Sequence, residues 1–278
     1  MFQYAFGRAN AIRLGAELKF ELTNPTLIIH HGFELERVFN IKATEATKMD
    51  VYFLLGIYRH RLVRKAINAL GLSKVFKTPY VEEQHFNFSP EMLNFREHSY
   101  VNGYWQSEKY FLAIENEIRS DFVFKLQFSQ QNAEVSEKIS KSNSVSLHIR
   151  RGDYVSNPEV TAVHGLCTIE YYQMAIKYIA ERVHLPNFYI FSDDIAWVQN
   201  NLKINYPHQY INHNHGSESF NDMRLMSLCK HHIIANSSFS WWGAWLNESA
   251  DKIVVAPKYW FSYEINSQDL IPTSWARL

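Results

Sequence analysis

Cysteine is scarce in this chain: Cys167 and Cys229 are the only two among 278 residues. Two thiols so far apart build neither a disulfide framework nor a zinc site, and they suit a reducing compartment. Charge of one sign is missing too. Twenty-eight basic residues offset twenty-eight acidic ones, for a formal net charge of zero. A dedicated nucleic-acid binder carries a basic excess or stripe, so no nucleic-acid partner is expected. No run of about 18 apolar residues occurs, so no membrane-spanning helix is expected either. The opening MFQYAFGRANAIRLG lacks the unbroken apolar stretch of a secretory signal. These absences describe a cytoplasmic protein, with room left for peripheral contact with the inner face of the membrane. No internal repeat is visible.

What is present is apolar and aromatic. Hydrophobic residues make up 46% of the chain and aromatics 15%, including seven Trp and sixteen Tyr. Aromatic faces either fill a core or bind sugars and bases, and composition does not choose between these. The length suggests about two domains. Phe2, Ala5, Phe6, Ala9, Ile12 and Ala16 recur at helical spacing, so a helix opens the chain. LKFEL (18–22) and TLIIH (26–30) read as short strands around an Asn24-Pro25 turn. Residues 50–70 read as one helix whose basic flank, RHRLVRK (59–65), is either a solvated face or a contact for an anionic membrane surface. YVNGYW (100–105) is strand-like, and residues 108–121 read as a helix. The polar stretch 126–142 is the expected boundary, giving domains 1–135 and 136–278.

The second half alternates. VSLHI (145–149), NFYIF (187–191), HHIIA (231–235) and KIVVA (252–256) are β-rich runs. Helical stretches are expected over 169–183, 195–202, 220–229 and 239–247, the first capped by Thr168. This is the pattern of a doubly wound parallel sheet. Ligands of such sheets bind outside the carboxyl ends of the strands. Three of the four runs carry polar clusters there. The first leads into Arg150, Arg151, Gly152 and Asp153; the second into Ser192, Asp193 and Asp194; the third into Asn236, Ser237, Ser238 and Ser240. Paired arginines offer fork-shaped donors for phosphate. A strand-to-helix turn at Asn236-Ser-Ser offers backbone N–H groups to a second anion. Two anion sites in one crevice suggest a diphosphate. Asp193 and Asp194 suit ribose hydroxyls or a guanine edge. The plainer readings are an Arg–Asp ion pair at 150–153 and ordinary helix capping by Ser237 and Ser238. The histidine pairs at 30–31 and 231–232 have no partner at ligand spacing, so no metal site is expected.

HIRRGDY (148–154) is similar to the His-x-Arg-Arg-x-Asp motif of the fucosyltransferase superfamily. NSSFSWWGAWL (236–246), MFQYAFGRANA (1–11) and FSDD (191–194) resemble segments of glycosyltransferase family 11, in the expected order along nearly the whole chain. The resemblance implies an α/β fold of two Rossmann-like domains in the GT-B arrangement, with 1–135 on the acceptor side and 136–278 binding the donor. It implies inverting transfer of L-fucose from GDP-fucose to the 2-hydroxyl of a β-galactoside, without a cofactor or required metal. Carried over by position, Arg150 binds the diphosphate and offsets charge on the leaving GDP. Ser237, Ser238 and Phe239 line the phosphate pocket; His148 and Asp193 or Asp194 face the nucleoside. Asp153, Glu159 and His164 are candidates for the base. Relatives begin with a strand and a Gly-Gly-x-Gly-Asn-Gln turn ahead of the Met-Phe-Gln-Tyr-Ala phrase. This chain starts at that phrase, so the N-terminal sheet is expected to lack its first strand. The alternatives are a different nucleotide-sugar donor and a catalytically impaired carbohydrate-binding relative.

Overall fold

The computed structural model describes residues 1–23, 32–71, 78–262 and 265–278. The expected strand 26–30, the Asn24-Pro25 turn and the His30–His31 pair lie outside the described residues. Two compact units share the chain: Met1–Val123 with Gln268–Leu270, and Phe124–Ser267 with Ile271–Leu278. The division therefore falls ahead of residues 126–142. That stretch is polar outside but contains the helix Gln130–Ser140, whose Val135 and Ile139 are buried in the core of the second unit.

The N-terminal unit opens with the helix Phe2–Leu14, as its periodicity predicts. It ends at Gly15, whose φ of 63° only glycine adopts at little cost, with the Gly15 and Ala16 N–H groups closing onto the last carbonyls. Its buried face meets aromatic rings. Phe6 stacks on Trp105 with centroids 3.9 Å apart, and Tyr4 lies 5.4 Å from Phe122. Strands β1 (Lys19–Phe20) and β2 (Thr44–Glu45) pair in parallel, as do β3 (Tyr80–Glu82) and β4 (Tyr100–Asn102). These two-stranded ladders are the β-structure among the described residues of this unit, for which the resemblance implies a Rossmann-like domain. Strands of two or three residues offer few cross-strand pairs, so side-chain packing of aromatics does the burying. The single helix expected over 50–70 is broken as well. It becomes Lys48–Leu55, a 3-10 turn Gly56–Arg59 and Arg61–Ala69, the break falling at Gly56 with φ 49°. Residues 108–121 likewise form two 3-10 turns before the helix Glu115–Asp121.

The C-terminal unit holds the expected parallel sheet. Its strands are β5 (Asn143–Ile149), β6 (Pro186–Ser192), β7 (His208–Ile211), β8 (His231–Ile233), β9 (Val254–Ala256) and β10 (Ala276–Arg277). Their order is β10-β9-β8-β5-β6-β7, all parallel. Strands β7 and β10 are too short and polar to stand out in the sequence. Helices cover both faces. Val145, Leu147 and Ile149 of β5 pack with Tyr172, Ile176 and Ile179 of the helix Ile169–Ala180, which Thr168 caps by accepting from the Tyr171 N–H. Tyr189 and Phe191 of β6 point to the other face, toward Ile139, Leu225 and Met226. That face of β5 carries Ser144, Ser146 and His148, all buried. Ser146 lies 2.8 Å from His232 Nδ1, and the Asn247 amide donates to His232 Nε2 at 2.8 Å. The second ring nitrogen is thus an acceptor, so the Nδ1–H donates to Ser146. His231 Nδ1 accepts from the Ile253 N–H. The 231–232 pair is core structure.

Candidate functional site

Strand β5 is the hinge of the topology. From it the chain builds β6 and β7 on one side, then crosses back to place β8 on the other. The carboxyl ends of β5 and β8 flank this switch point, where open parallel sheets bind ligands. Arg150–Asp153 leave the first; Asn236–Ser240 leave the second. The register Val145↔His231 and Leu147↔Ile233 sets the two ends side by side. Ser192–Asp194 leave β6, the other neighbour of β5.

The arginines are held by the aspartates. Arg150 Nη1 donates to Asp193 Oδ2 at 2.9 Å, and the Arg151 N–H donates to Asp193 Oδ1 at 2.8 Å. Arg151 Nε approaches Asp194 Oδ2 at 3.4 Å, and its guanidinium lies 3.6 Å over the Trp197 ring. Asp194 also caps the helix Ile195–Asn201 by accepting from the Trp197 N–H. Gly152 is required for this closeness: a Cβ there would meet Asp193 Oδ2 at 2.7 Å. The aspartates expected to face a nucleoside therefore spend oxygens on orienting the two arginines. Asp153 sits in the short helix Gly152–Ser156, and its side chain lies outside the described residues.

His148 is the penultimate residue of β5, with its ring buried, 5.8 Å from Phe239. Burial pushes its pKa down to about 3; Arg150 pushes the same way and Asp193 opposes. The ring is neutral at working pH, and its buried Nδ1 has no hydrogen-bond partner among the described residues. Ser237 is the N-cap of the helix Ser238–Leu246, accepting from the Phe239 N–H at 3.3 Å. Ser238 is exposed at the helix start, so both the capping and the anion reading apply to this turn. Two expected donor contacts have other duties. The Asn236 amide donates to the carbonyls of His164 at 2.8 Å and Trp260 at 3.2 Å, so it ties loops together. Ser240 is buried, and its hydroxyl bonds the Ser237 carbonyl. Of the remaining base candidates, Glu159 is exposed on the helix Pro158–His164, and His164 stacks on Tyr154 at 5.0 Å. A cleft of about 830 Å³ beyond Asn236, lined by Leu166, Cys167, Met174 and Trp260, contains neither arginine.

The N-terminal unit has a groove of its own, about 450 Å³, lined by Gln3, Glu82, Glu83, Asn102 and Tyr104 among others. Glu83 builds it by accepting from the Tyr104 N–H at 2.6 Å and the Trp105 N–H at 3.1 Å. Trp105 has φ 57°, and this turn sends its ring into the core while Tyr104 points outward, 61% exposed. Phe86 lies nearly parallel to Tyr104, centroids 6.2 Å apart. Burial raises the Glu83 pKa despite the two N–H bonds. Composition gave no pointer to this groove; a glycine at 103 that leaves room for a carboxylate was the available signal. Six of the seven tryptophans are buried, so most of the indole content is core.

A model of glycosyl transferase family 11 matches residues 57–278. An alpha-1,2-colitosyltransferase from Escherichia coli is 37% identical, over all of this chain and 94% of that protein. The O-antigen biosynthesis glycosyltransferase WbnK from Escherichia coli is 35% identical, over 88% of this chain and 84% of that protein. Galactoside 2-alpha-L-fucosyltransferase SEC1 from Bos taurus is 27% identical, over 60% of this chain and 45% of that protein.

Proposed function

This chain belongs to glycosyl transferase family 11 and is a glycosyltransferase; we propose that it transfers L-fucose from GDP-fucose to the 2-hydroxyl of a β-galactoside with inversion. The observation that carries this reading is the meeting of Arg150–Asp153 and Asn236–Ser240 on adjacent strand ends at the switch point. In this reading the C-terminal unit binds the donor within a GT-B enzyme. The acceptor oxygen bonds to the anomeric carbon as the bond from that carbon to the β-phosphate oxygen breaks. The acceptor proton leaves to a base, and charge accumulates on GDP. Arg150, aimed by Asp193, meets that charge, and the amides at the start of Ser238–Leu246 meet the second phosphate. His148, neutral and close to Phe239, faces the nucleoside side. No metal is needed as a charge clamp.

The acceptor is read in the N-terminal groove. Glu82 and Glu83 repel anions and accept sugar hydroxyls, while the faces of Tyr104 and Phe86 suit the C–H face of a neutral hexose. The colitosyltransferase relative favours a second reading, in which the donor sugar is colitose, L-fucose without its 3-hydroxyl. A pocket that hydrogen-bonds the 3-hydroxyl would reject the deoxy sugar by about 10⁴-fold; one lacking such a contact would accept both. The test incubates the chain with GDP-fucose or GDP-colitose and a panel of β-galactosides, and assigns product linkage by NMR. A 2-linked fucoside is expected. Exclusive use of GDP-colitose would hand the function to the second reading, and turnover of UDP-sugars alone would refute both.

A further inference from the structure

Outward-facing apolar side chains concentrate in one stretch of the N-terminal unit. On the helix Lys48–Leu55, Met49, Tyr52 and Phe53 recur at helical spacing, exposed by 57%, 48% and 74%. Ile57 follows in the turn at 64%, Leu62 stands at 80% in the first turn of the next helix, and Leu70 at 70% just past its end. Soluble surfaces normally scatter such residues singly. The inner side is satisfied separately. Leu55 is buried, and the Arg64 guanidinium donates to the carbonyls of Tyr58 and Arg59 while lying 3.9 Å over the Tyr80 ring. The outer apolar groups are therefore not waiting on the fold of this segment.

The same stretch is basic in a chain of zero net charge. Lys48, Arg59, Arg61, Arg64 and Lys65 stand against Asp50 alone. Asp50 is already engaged by the Thr47 cap and by Lys19 Nζ at 3.3 Å. Arg59 covers the Tyr52 ring at 4.5 Å, so cation and apolar surface share one face. Symmetric pairing with a second copy would set the exposed cations Lys48, Arg59, Arg61 and Lys65 against the same four. Apolar anchors rimmed by cations instead match a surface with a negative headgroup layer over an acyl interior. No helix among the described residues is long and apolar enough to cross a membrane, so contact is from one side.

We propose that residues 48–70 dock the protein on an anionic lipid bilayer. Phe53, Ile57, Leu62 and Leu70 enter the acyl boundary, and Arg59, Arg61 and Lys65 meet the lipid phosphates. Cosedimentation of the full chain with vesicles of about 30 mol % phosphatidylglycerol in phosphatidylcholine tests this. Binding is expected, weakening about tenfold or more in pure phosphatidylcholine or about 0.5 M salt. The double variant Phe53→Glu/Leu62→Glu should lose binding with its melting temperature unchanged, and Arg61→Glu/Lys65→Glu should lose it selectively for anionic vesicles. Wild type that ignores anionic vesicles, or variants that bind them as wild type does, would overturn the proposal. So would a dimer, seen by sedimentation, that Phe53→Glu/Leu62→Glu dissolves without any vesicle binding by wild type.

Discussion

The two units hold their functional residues by different means. In the C-terminal unit, seven-residue β5 and β6 pair along their full length, and the chemistry hangs from their ends. Backbone hydrogen bonds fix where Arg150 and Asp193 emerge, and a carboxylate then fixes the guanidinium. Among the described residues of the N-terminal unit the longest ladder has three paired residues, and ring-on-ring packing holds Tyr104 and Trp105 in place. A sheet end permits little adjustment, which would suit the diphosphate of the proposed donor. An aromatic turn tolerates reshaping, which suits a glycan contact.

The sharpest way to break this contrast is Arg150→Lys. An ammonium keeps the charge but not the two-pronged geometry that Asp193 aims. Loss of one such donor costs about 10²–10³ in kcat. The circular dichroism and melting temperature should stay those of wild type. Turnover near wild type in a folded variant would remove Arg150 from the mechanism.

A matched pair of glycine substitutions comes next. At Gly103 an added Cβ would meet Glu83 Cβ at 2.5 Å and the Trp105 ring at 2.9 Å, neither of which swings away easily. Gly103→Ala should destabilise the N-terminal unit by about 1–3 kcal/mol, read by urea titration. At Gly152 the added atom meets the far end of the Asp193 side chain, which can rotate. Gly152→Ala should leave stability nearly intact and lower kcat about tenfold, because the moved carboxylate no longer aims Arg150. Equal stability losses in both variants would erase the distinction between the two supports.

Legibility in the sequence followed the same divide. Apolar runs ending in polar clusters announced β5, β6 and β8, because a buried parallel strand is continuous in hydrophobicity and its ligand end is not. The pairing of Arg150 with Asp193 was hidden, since its partners lie 43 positions apart in number and meet only through strand adjacency. Asn236 looked like a ligand residue because its carbonyl partners, His164 and Trp260, lie 72 and 24 positions away. The buried Ser146–His232 bond was hidden in the same way, since its partners meet only through the pairing of β5 with β8. The N-terminal unit gave little because strands of two or three residues leave no period to read.

For the groove itself, Tyr104→Ala should raise the acceptor KM about tenfold with donor KM and donor hydrolysis unchanged. Movement of donor KM by the same factor would show that Tyr104 does not act on the acceptor alone.

Acid response probes the C-terminal unit alone, which holds all three of the buried groups involved. Burial holds His148 at about 3 and His232 well below its ordinary value, while burial raises Asp222 to about 7 against its Asn214 bond. The unfolded histidines take up protons below about 6.5 that the fold refuses, so their effect is stability rising with pH up to about 6.5. Folded Asp222 keeps a proton that the unfolded chain releases above about 3.9, so its effect is stability falling as pH rises toward about 7. Each slope is at most about 1.4 kcal/mol per pH unit. In urea titrations, Asp222→Asn should steepen the rise below about pH 6.5 and flatten the profile near neutrality. An unaltered profile would mean Asp222 is ionised in the fold.

The smallest effect should come from chelation, because the carboxylates beside the candidate donor site are already paired with arginines. Asp193 receives Arg150 Nη1 and the Arg151 N–H, one on each oxygen, and Asp194 receives Arg151 Nε and the Trp197 N–H. A divalent ion bridging these carboxylates to a diphosphate would have to displace two guanidiniums, and displaced guanidiniums would remain beside the cation. Arginine and metal are thus competing answers to the same negative charge, and the proposed mechanism uses the first. Transfer rates should be unchanged, within about twofold, by EDTA and by added magnesium or manganese, since the arginine forks already supply the charge a metal would bring. Activity abolished by EDTA and restored by manganese would reverse the assignment, making Asp193 and Asp194 metal ligands and Arg150 a bystander that holds them apart until the ion arrives.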